Sequence, residues 1–304
     1  MRAIAGQYLV TEVAPDTYAR TPWAKAFTED PSFTGVYGSL FHELTSPVLR
    51  TLPAFLKKTH FRNPTDVNDC NLQFSTGQRG NLFQFIGSDP VLASEFNDAM
   101  ECHSRYNTTA WVDTYPTETI IAAAKARPTQ TSPLIVDVGG GKGYDLKMFL
   151  AKHPGEVPAG SLVLQDLPEA LKSVKAELAS EQAITVRAHD FFTPQPESVR
   201  GARVYMLPNV LHDWPDDKAR QILQGLMPVM EKGYSRVLIH EKVVSSEKPA
   251  SRVTIMDITM MAHLAAAERT EEQWHELVES AGLRVVKIWH SVQAIDSIIE
   301  AELA

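Results

Sequence analysis

Short apolar runs recur through the second half of the chain, and segments with apolar residues at helical spacing separate them. Such an alternation predicts an α/β fold in which a parallel sheet carries helices on both faces. The segment 218–230 shows helical spacing most clearly, and the capping box Thr270-Glu-Glu-Gln273 predicts a helix that ends near Ala281-Gly282. We predict strands over 134–138, 162–166, 184–188, 202–207, 235–241 and 283–289.

Residues 1–130 lack this alternation and are expected to be mostly helical. Pro116 and the segment 128–133, which reads PTQTSP, have the composition of a connector. The sequence therefore predicts two domains, a helical N-terminal region over 1–130 and a sheet-containing domain over 131–304.

Composition narrows the possible functions. The chain has 304 residues, 44% of them hydrophobic and 22% charged, as is typical of a globular protein. Its net charge of −8 argues against a nucleic-acid partner, which would require a basic surface. No apolar run reaches the ~20 residues of a membrane span, and Met1–Val10 lacks the features of a secretory signal, so we expect a cytoplasmic protein without a membrane partner. Cys70 and Cys102 lack zinc-ligand spacing and are expected to be packed thiols.

A glycine-rich turn follows the first predicted strand of the sheet. It reads acid-x-Gly-x-Gly-x-Gly, with Asp137, Gly139, Gly141 and Gly143 at the four fixed positions. A dinucleotide site would require a further glycine where Tyr144 stands, which disfavours NAD. This pattern of an acid followed by three spaced glycines is the one associated with S-adenosylmethionine (SAM) sites. Glycines let the backbone approach such a ligand closely.

A second acid supports this interpretation. Asp166 ends the next predicted strand, where a carboxylate can accept hydrogen bonds from both ribose hydroxyls of a nucleoside. Taken alone, Asp166 could equally be a helix cap before Pro168. Acids at two successive strand ends favour the cofactor site.

His212 follows the predicted strand 202–207, on the same sheet edge as the glycine-rich turn. A histidine with a pKa of ~6.5 can remove the proton of a phenol, whose pKa is ~10, so His212 is the candidate general base. It is one of ten histidines, and the alternative is a packing role. Glu241, which closes a strand, and Glu268 could each accept the imidazole N–H. For Glu268 the alternative is a surface ion pair with Arg269.

Four blocks, VDVGGGKG, LQDLP, LHDWPD and DITMMAHLAAAERTEEQWHELVESAGL, resemble the SAM-dependent O-methyltransferases of the caffeate and flavonoid type, and especially their fungal secondary-metabolite relatives. The resemblance covers most of residues 75–300. It implies a Rossmann-like sheet and a site in which His212 is the base and Glu241 and Glu268 flank it. It also implies that SAM contacts Gly139, Gly141, Asp166, Leu167, Asp190 and Phe191, with Asp190 near the adenine amine. The implied lining of the acceptor pocket is Phe96, Met100, His103 and Met260.

This sequence departs from the family pattern in two places. Family members place lysine or arginine four residues before the base, to touch the cofactor, and this chain has Pro208 there. The segment Ala3–Ala26 resembles only the end of the family's winged-helix dimerisation domain, so a shortened version of that domain is expected. A homodimer is typical of the family, and the shortening puts that expectation in doubt here.

The leading hypothesis is methyl transfer from SAM to a phenolic hydroxyl of an aromatic small molecule, by in-line displacement and without a metal. One alternative is a SAM-binding pericyclase or dehydratase of the same fold, against which the retained His212 argues. Another is a catalytically weak SAM-binding partner protein, which the shortened N-terminal domain suggests.

Overall fold

The computed structural model of the protein describes residues 1–105, 110–127, 131–172, 174–290 and 296–304. Its strands are β1 (Val10–Ala14), β2 (Thr17–Arg20), β3 (Ile135–Val138), β4 (Leu162–Asp166), β5 (Ile184–Ala188), β6 (Val204–Pro208), β7 (Arg236–Val244), β8 (Arg269–Thr270), β9 (Leu283–His290) and β10 (Asp296–Leu303). Its α-helices are α1 (Arg2–Ala5), α2 (Pro22–Glu29), α3 (Ser32–Tyr37), α4 (Ser46–Lys58), α5 (Asn71–Thr76), α6 (Leu82–Gly87), α7 (Pro90–Arg105), α8 (Trp111–Thr114), α9 (Glu118–Ala126), α10 (Tyr144–Lys152), α11 (Val174–Glu177), α12 (Asp216–Leu226), α13 (Ser251–Leu264) and α14 (Glu271–Ser280). A π-helical turn spans Leu40–Thr45, and 3₁₀ turns span Glu197–Val199, Leu211–Asp213 and Met227–Val229.

The main sheet has the strand order β5-β4-β3-β6-β7-β10-β9, with the short β8 beside β7. The strands from β5 to β7 are parallel, and β10 is antiparallel to both of its neighbours. The expectation of a parallel sheet is therefore wrong at β10, which the sequence pattern did not predict. The physical reason is that Asp296, Glu300 and Glu302 are buried in this strand and interrupt its apolar pattern. Arg236 pairs with the carboxylates of Glu300, at 3.2 Å, and Glu302, at 2.6 Å.

Helices cover both faces of the sheet, as the alternation of elements predicts. Neighbouring strand residues point to opposite faces, so Tyr205 and Leu207 join one apolar cluster and Val204 and Met206 join the other. The first cluster contains the buried sides of α12 and α14. The second contains α8, α9, α10 and α11. The central strands β3 and β6 are thus buried on both faces of the sheet.

The two helices predicted in detail are present with small differences. The segment 218–230 forms α12 and then a 3₁₀ turn over Met227–Val229, because Pro228 has no N–H to continue the α-helix. The capping box is confirmed, since Thr270 accepts the N–H of Gln273 and the Gln273 side chain accepts the N–H of Thr270. The helix that it starts, α14, ends at Ser280.

A third apolar cluster lies among the N-terminal helices. It combines residues of α4, α5, α6 and α7 with Met260, Ala262 and Leu264 at the end of α13, and so joins both predicted domains. The boundary at 130 therefore stays a prediction. Strands β1 and β2 form a two-stranded hairpin within this mostly helical region, and the winged-helix remnant also stays a prediction. Among the described residues, no helix has the length and apolar character needed to span a membrane.

Helices α3 and α7 approach each other at Gly35. A Cβ atom built there would lie 2.2 Å from the carbonyl oxygen of Glu95 and 2.4 Å from the amide nitrogen of Ala99, both backbone atoms. We expect Gly35→Ala to lower the free energy of unfolding by about 1–3 kcal/mol, because the two helices must separate. Urea unfolding measures this change.

Gly87→Ala is the matched control, because a Cβ at this helix end meets nothing within 4 Å. We expect its free energy of unfolding to be unchanged or slightly raised, since alanine loses less backbone entropy on folding. Equal effects of the two substitutions would show that the α3 and α7 backbones are not in contact.

Candidate active site and cofactor cradle

The predicted site residues gather at the carboxyl ends of the parallel strands. The glycine-rich turn follows β3, Asp166 ends β4, and the turn with His212 follows β6. These strands are neighbours in the sheet, so their ends meet at one edge, where α/β proteins bind ligands.

The glycine-rich turn rests on the carboxylate of Asp137. Gly139, Gly141 and Gly143 have φ angles of +75°, +54° and +68°, a region that side-chain-bearing residues rarely adopt. A Cβ atom built on Gly140 would lie 2.3 Å from Asp137 Cγ, so only glycine fits over this acid. Burial raises the pKa of Asp137 well above its ordinary value, and nearby acids add to the effect.

Asp166 ties the end of β4 to the glycine-rich turn. Its Oδ2 accepts the N–H of Gly141 at 2.9 Å, and its Oδ1 accepts the N–H of Leu167 at 2.7 Å. Leu167 is 43% exposed beside it. Two of the expected cofactor residues therefore frame the turn.

Phe191 and Asp190 complete the set of expected cofactor residues. A Cβ atom built on Gly139 would lie 3.5 Å from the ring of Phe191, which places that ring beside the turn. Asp190 is exposed and accepts the N–H of Phe192 at 2.9 Å. One observation tests the fit to SAM: a Cβ atom on Gly141 would meet nothing within 4 Å, so the turn faces open space. Acidic groups around such a space suit a ligand that carries a sulfonium and an ammonium group.

The turn after β6 positions His212. Pro208 is buried at the end of β6, and Asn209 adopts a left-handed conformation with φ +50°, which redirects the chain. The following 3₁₀ turn Leu211–Asp213 buries the imidazole. Glu241 Oε1 accepts the backbone N–H groups of Leu211 at 2.8 Å and His212 at 3.2 Å, so this carboxylate holds the turn itself.

Glu268 holds the imidazole ring. Its Oε1 lies 2.9 Å from His212 Nδ1, whereas Glu241 Oε2 lies 3.7 Å away. The other ring nitrogen, Nε2, lies 3.5 Å from Asp213 Oδ1. The structure thus brings His212, Glu241 and Glu268 together. Glu268 contacts the imidazole ring of His212, whereas Glu241 contacts the backbone of the turn that carries it.

Three carboxylates dominate the electrostatics of this cluster. Burial alone lowers the pKa of His212, but Glu241, Asp213 and the hydrogen bond from His212 to Glu268 outweigh it and raise that pKa to about 9. Burial raises the pKa of Glu241 to about 7, although His212 opposes the rise. For Glu268, burial is outweighed by His212 and Lys242, and its pKa is lowered. At neutral pH the ligand-free site therefore holds an imidazolium paired with the Glu268 carboxylate.

Arg269 is a supporting residue that the sequence did not reveal. It is buried, and its guanidinium donates to the carbonyls of Leu211 at 2.9 Å and Trp214 at 2.7 Å, and to Asp216 Oδ1 at 2.9 Å. The surface ion pair considered for Glu268 and Arg269 is therefore absent among the described contacts. Arg269 instead clamps the turn that carries His212. Its position directly after Glu268 is the one available sequence signal.

The acceptor-side residues lie on two helices. Phe96, Met100 and His103 are on α7, and Met260 is on α13. Phe96 packs edge-on against Phe83, with 6.0 Å between ring centroids, and Phe83 stacks on Trp214 at 5.4 Å. This chain of aromatic contacts connects α7 to the turn that carries His212.

The four acceptor-side residues differ in exposure and environment. Met100 is 42% exposed, whereas Met260 is buried. His103 Nε2 lies 3.7 Å from Asp296 Oδ2, and burial lowers the pKa of His103 despite this carboxylate. Only Met100 of the set therefore offers a large exposed side chain.

The cluster around His212 also has the spacing of a metal site, since one ligand atom from each of His212, Glu241 and Glu268 lies within 4.8 Å of the others. The hydrogen bonds present do not favour an ion. Nδ1 of His212 is already bonded to Glu268, and Glu241 Oε1 accepts two N–H groups. The prediction that no metal is used stays a prediction.

Residues 63–284 match the family model described as the O-methyltransferase domain. Among curated proteins, the O-methyltransferase mfmE of Annulohypoxylon moriforme is 35% identical over 303 residues, which cover 100% of this chain and 72% of that protein. The O-methyltransferase ATR12 of Stachybotrys chlorohalonatus is 38% identical over 252 residues, 83% of this chain and 61% of that protein.

Two solved structures are also similar to this chain over its whole length. LepI in complex with SAM matches with a TM-score of 0.88 at 28% identity, over 100% of this chain and 75% of that one. OxaC in complex with SAH and oxaline matches with a TM-score of 0.85 at 25% identity, over 100% and 74% of the two chains. The resemblance of the four sequence blocks is confirmed, and this chain belongs to the family of SAM-dependent O-methyltransferases, together with fungal members of that family.

Proposed function

We propose that this protein transfers a methyl group from SAM to a phenolic hydroxyl group of an aromatic small molecule, with His212 as general base. The observation that carries the proposal is the buried pair of His212 and Glu268, 2.9 Å apart at the sheet edge that also holds the glycine-rich turn. Phe96, Met100, His103 and Met260 would line the acceptor site, where polarizable methionine side chains suit flat rings of varied shape.

The two nitrogens of His212 have different tasks in this reaction. Bound SAM supplies a methyl group on a positively charged sulfur. Nδ1 keeps its proton, which points to Glu268, so the ring is held in the tautomer whose Nε2 can accept the acceptor's hydroxyl proton. The O–H bond breaks as the new N–H bond forms at Nε2, and the oxygen lone pair becomes available for the methyl group. Glu268 and Glu241 stabilise the resulting imidazolium.

The protonation state of His212 must change before it can act. With a pKa of about 9, the ligand-free ring is mostly protonated at neutral pH. A positively charged ligand at the neighbouring turn disfavours the imidazolium, because like charges repel. Cofactor binding would therefore release a proton and prepare the base, which couples the two ligand sites.

A pericyclic reaction is the second candidate function. A structure described as a pericyclic reaction enzyme matches with a TM-score of 0.88 at 28% identity, the same values as LepI in complex with SAM. The same pocket could serve either reaction, since the fold alone does not decide the chemistry. The fate of the methyl group separates the two.

Removal of the base tests the proposal directly. We expect His212→Ala to lower methyl transfer to phenols by about 10²–10⁴-fold, because general base catalysis contributes about that much. SAM affinity, measured by calorimetry, should stay close to that of the unaltered protein. His275→Ala, in an exposed position on α14, is the control and should transfer normally. Turnover of an acceptor without methyl incorporation would instead support the pericyclic reaction.

The pH dependence follows from the raised pKa of His212. Catalysis needs the neutral ring, so kcat/KM for SAM, which reports the ligand-free enzyme, should rise with pH up to about 9. Glu268→Gln removes a negative charge next to the ring and should shift this rise to lower pH, while it also lowers kcat. An identical pH profile in the Glu268→Gln variant would contradict the pairing.

The close packing of Gly140 over Asp137 predicts that a side chain at position 140 lowers the affinity for SAM. In Gly140→Ala the new Cβ would overlap the Asp137 carboxyl group, so the turn must lift. We expect SAM affinity to fall about tenfold to a hundredfold, the equivalent of about 1–3 kcal/mol of overpacking. Calorimetric titration with SAM measures this, with Gly87→Ala as control. Unchanged affinity would place the cofactor elsewhere.

A further inference from the structure

A row of five ionisable side chains runs through the interior from His212 to His103. In order these are His212, Glu268, Lys242, Asp296 and His103, and we name them the charge row. The closest atoms of successive members are 2.9, 3.8, 3.5 and 3.7 Å apart. We propose that Lys242 and Asp296 are positioning residues that couple the base to the acceptor side: Lys242 tunes how readily His212 releases its proton, and Asp296 orients His103 for the acceptor. The proposal rests on the function proposed above.

Lys242 and Asp296 lie side by side on two neighbouring strands of the sheet. They are register partners in β7 and β10, and each is only 2% exposed. Burying two charges is costly, and apolar residues in such places often support a fold equally well or better. Stability therefore gives little reason for this pair.

Lys242 touches both supports of the base. Its Nζ lies 3.8 Å from Glu268 Oε1, the same oxygen that is bonded to His212 Nδ1. It also lies 3.4 Å from Asn209 Oδ1, at the left-handed residue where the turn begins. Lys242 thus contacts the orienting carboxylate and the backbone turn at the same time.

The charges that face His212 come from several elements. Glu241 and Lys242 face it from β7, Asp213 from its own turn, Glu268 from the segment before α14, and His103 from α7. Lys242 carries the positive charge that offsets these carboxylates. Without Lys242, the imidazolium would be held more tightly and the base would be less available.

Asp296 connects the row to the acceptor side. Its Oδ2 lies 3.7 Å from His103 Nε2, and Lys242 and His103 lower its pKa although burial works in the other direction. His240 is a second histidine that interacts with Asp296. Its Nδ1 lies 3.9 Å from Asp145 Oδ1, and burial lowers its pKa to about 4. With Nε2 of His103 turned towards Asp296, Nδ1 is the nitrogen left for a polar group of the acceptor.

The first experiment measures the pKa of His212 by ¹⁵N–¹H NMR titration of the full chain, with His212→Ala to assign the signal. In Lys242→Met we expect this pKa to rise by about one unit, as for loss of one nearby charge at an effective dielectric constant of about 20. Lys125→Met removes an exposed lysine of an ion pair with Glu156 and is the matched control, with no shift expected. This readout needs no turnover, so it decides the coupling even if the proposed methyl transfer fails.

The second experiment separates the two ends of the row kinetically. Asp296→Asn should raise the KM for the acceptor several-fold, with kcat and the pH profile close to those of the unaltered protein. Lys242→Met should instead move the pH profile of kcat/KM upwards. If either single variant unfolds, the double variant Lys242→Met/Asp296→Asn removes both charges of this ion pair together and should show both effects. An unchanged His212 titration in folded Lys242→Met, or kinetic losses that only follow the folded fraction, would overturn the proposal.

Discussion

His212 and Glu268 lie buried against each other in this protein, 2.9 Å apart, and the rest of the site follows from the need to keep that pair satisfied. An isolated charge in the interior would cost several kcal/mol. The chain therefore surrounds His212 with carboxylates and secures the turn that carries it from three sides. Glu241 binds its N–H groups, Arg269 binds its carbonyls, and Glu268 binds the ring. The result is a histidine whose position depends on the sheet itself.

The last strand in the chain, β10, lies between β7 and β9 and contributes charges as well as backbone pairing. Strand β10 runs against β7 and places Asp296 directly beside Lys242. Charged residues inside a sheet are tolerated only where partners are built in, and Arg236 supplies partners for Glu300 and Glu302 of the same strand. Strand β10 thus carries three buried carboxylates, and one of them, Asp296, lies beside Lys242 of β7 in the direction of His212.

Much of the site could be predicted because strand ends of a parallel sheet must meet at one edge. That rule alone brings the glycine-rich turn, Asp166 and His212 together, whereas Glu241, expected to close its strand, lies inside β7, which continues to Val244. The rule could not distinguish the contacts of Glu241 from those of Glu268, which depend on side-chain packing between distant segments. It also missed Arg269 and Lys242, because a buried cation has no periodic signature. Strand β10 was not predicted because its buried acids give this segment the polar composition of a loop.

The third apolar cluster has a consequence for how the protein is made. The helices α4 to α7 are synthesised early, yet their shared interior includes Met260, Ala262 and Leu264 from the end of α13. That interior stays incomplete until translation has passed the strands β3 to β7. Helices α4 to α7 therefore reach their final packing only after the sheet that follows them has been synthesised, and until then their apolar side chains stay exposed to water. An exchange of acceptor-side helices between relatives would have to carry α13 with them to keep this core intact.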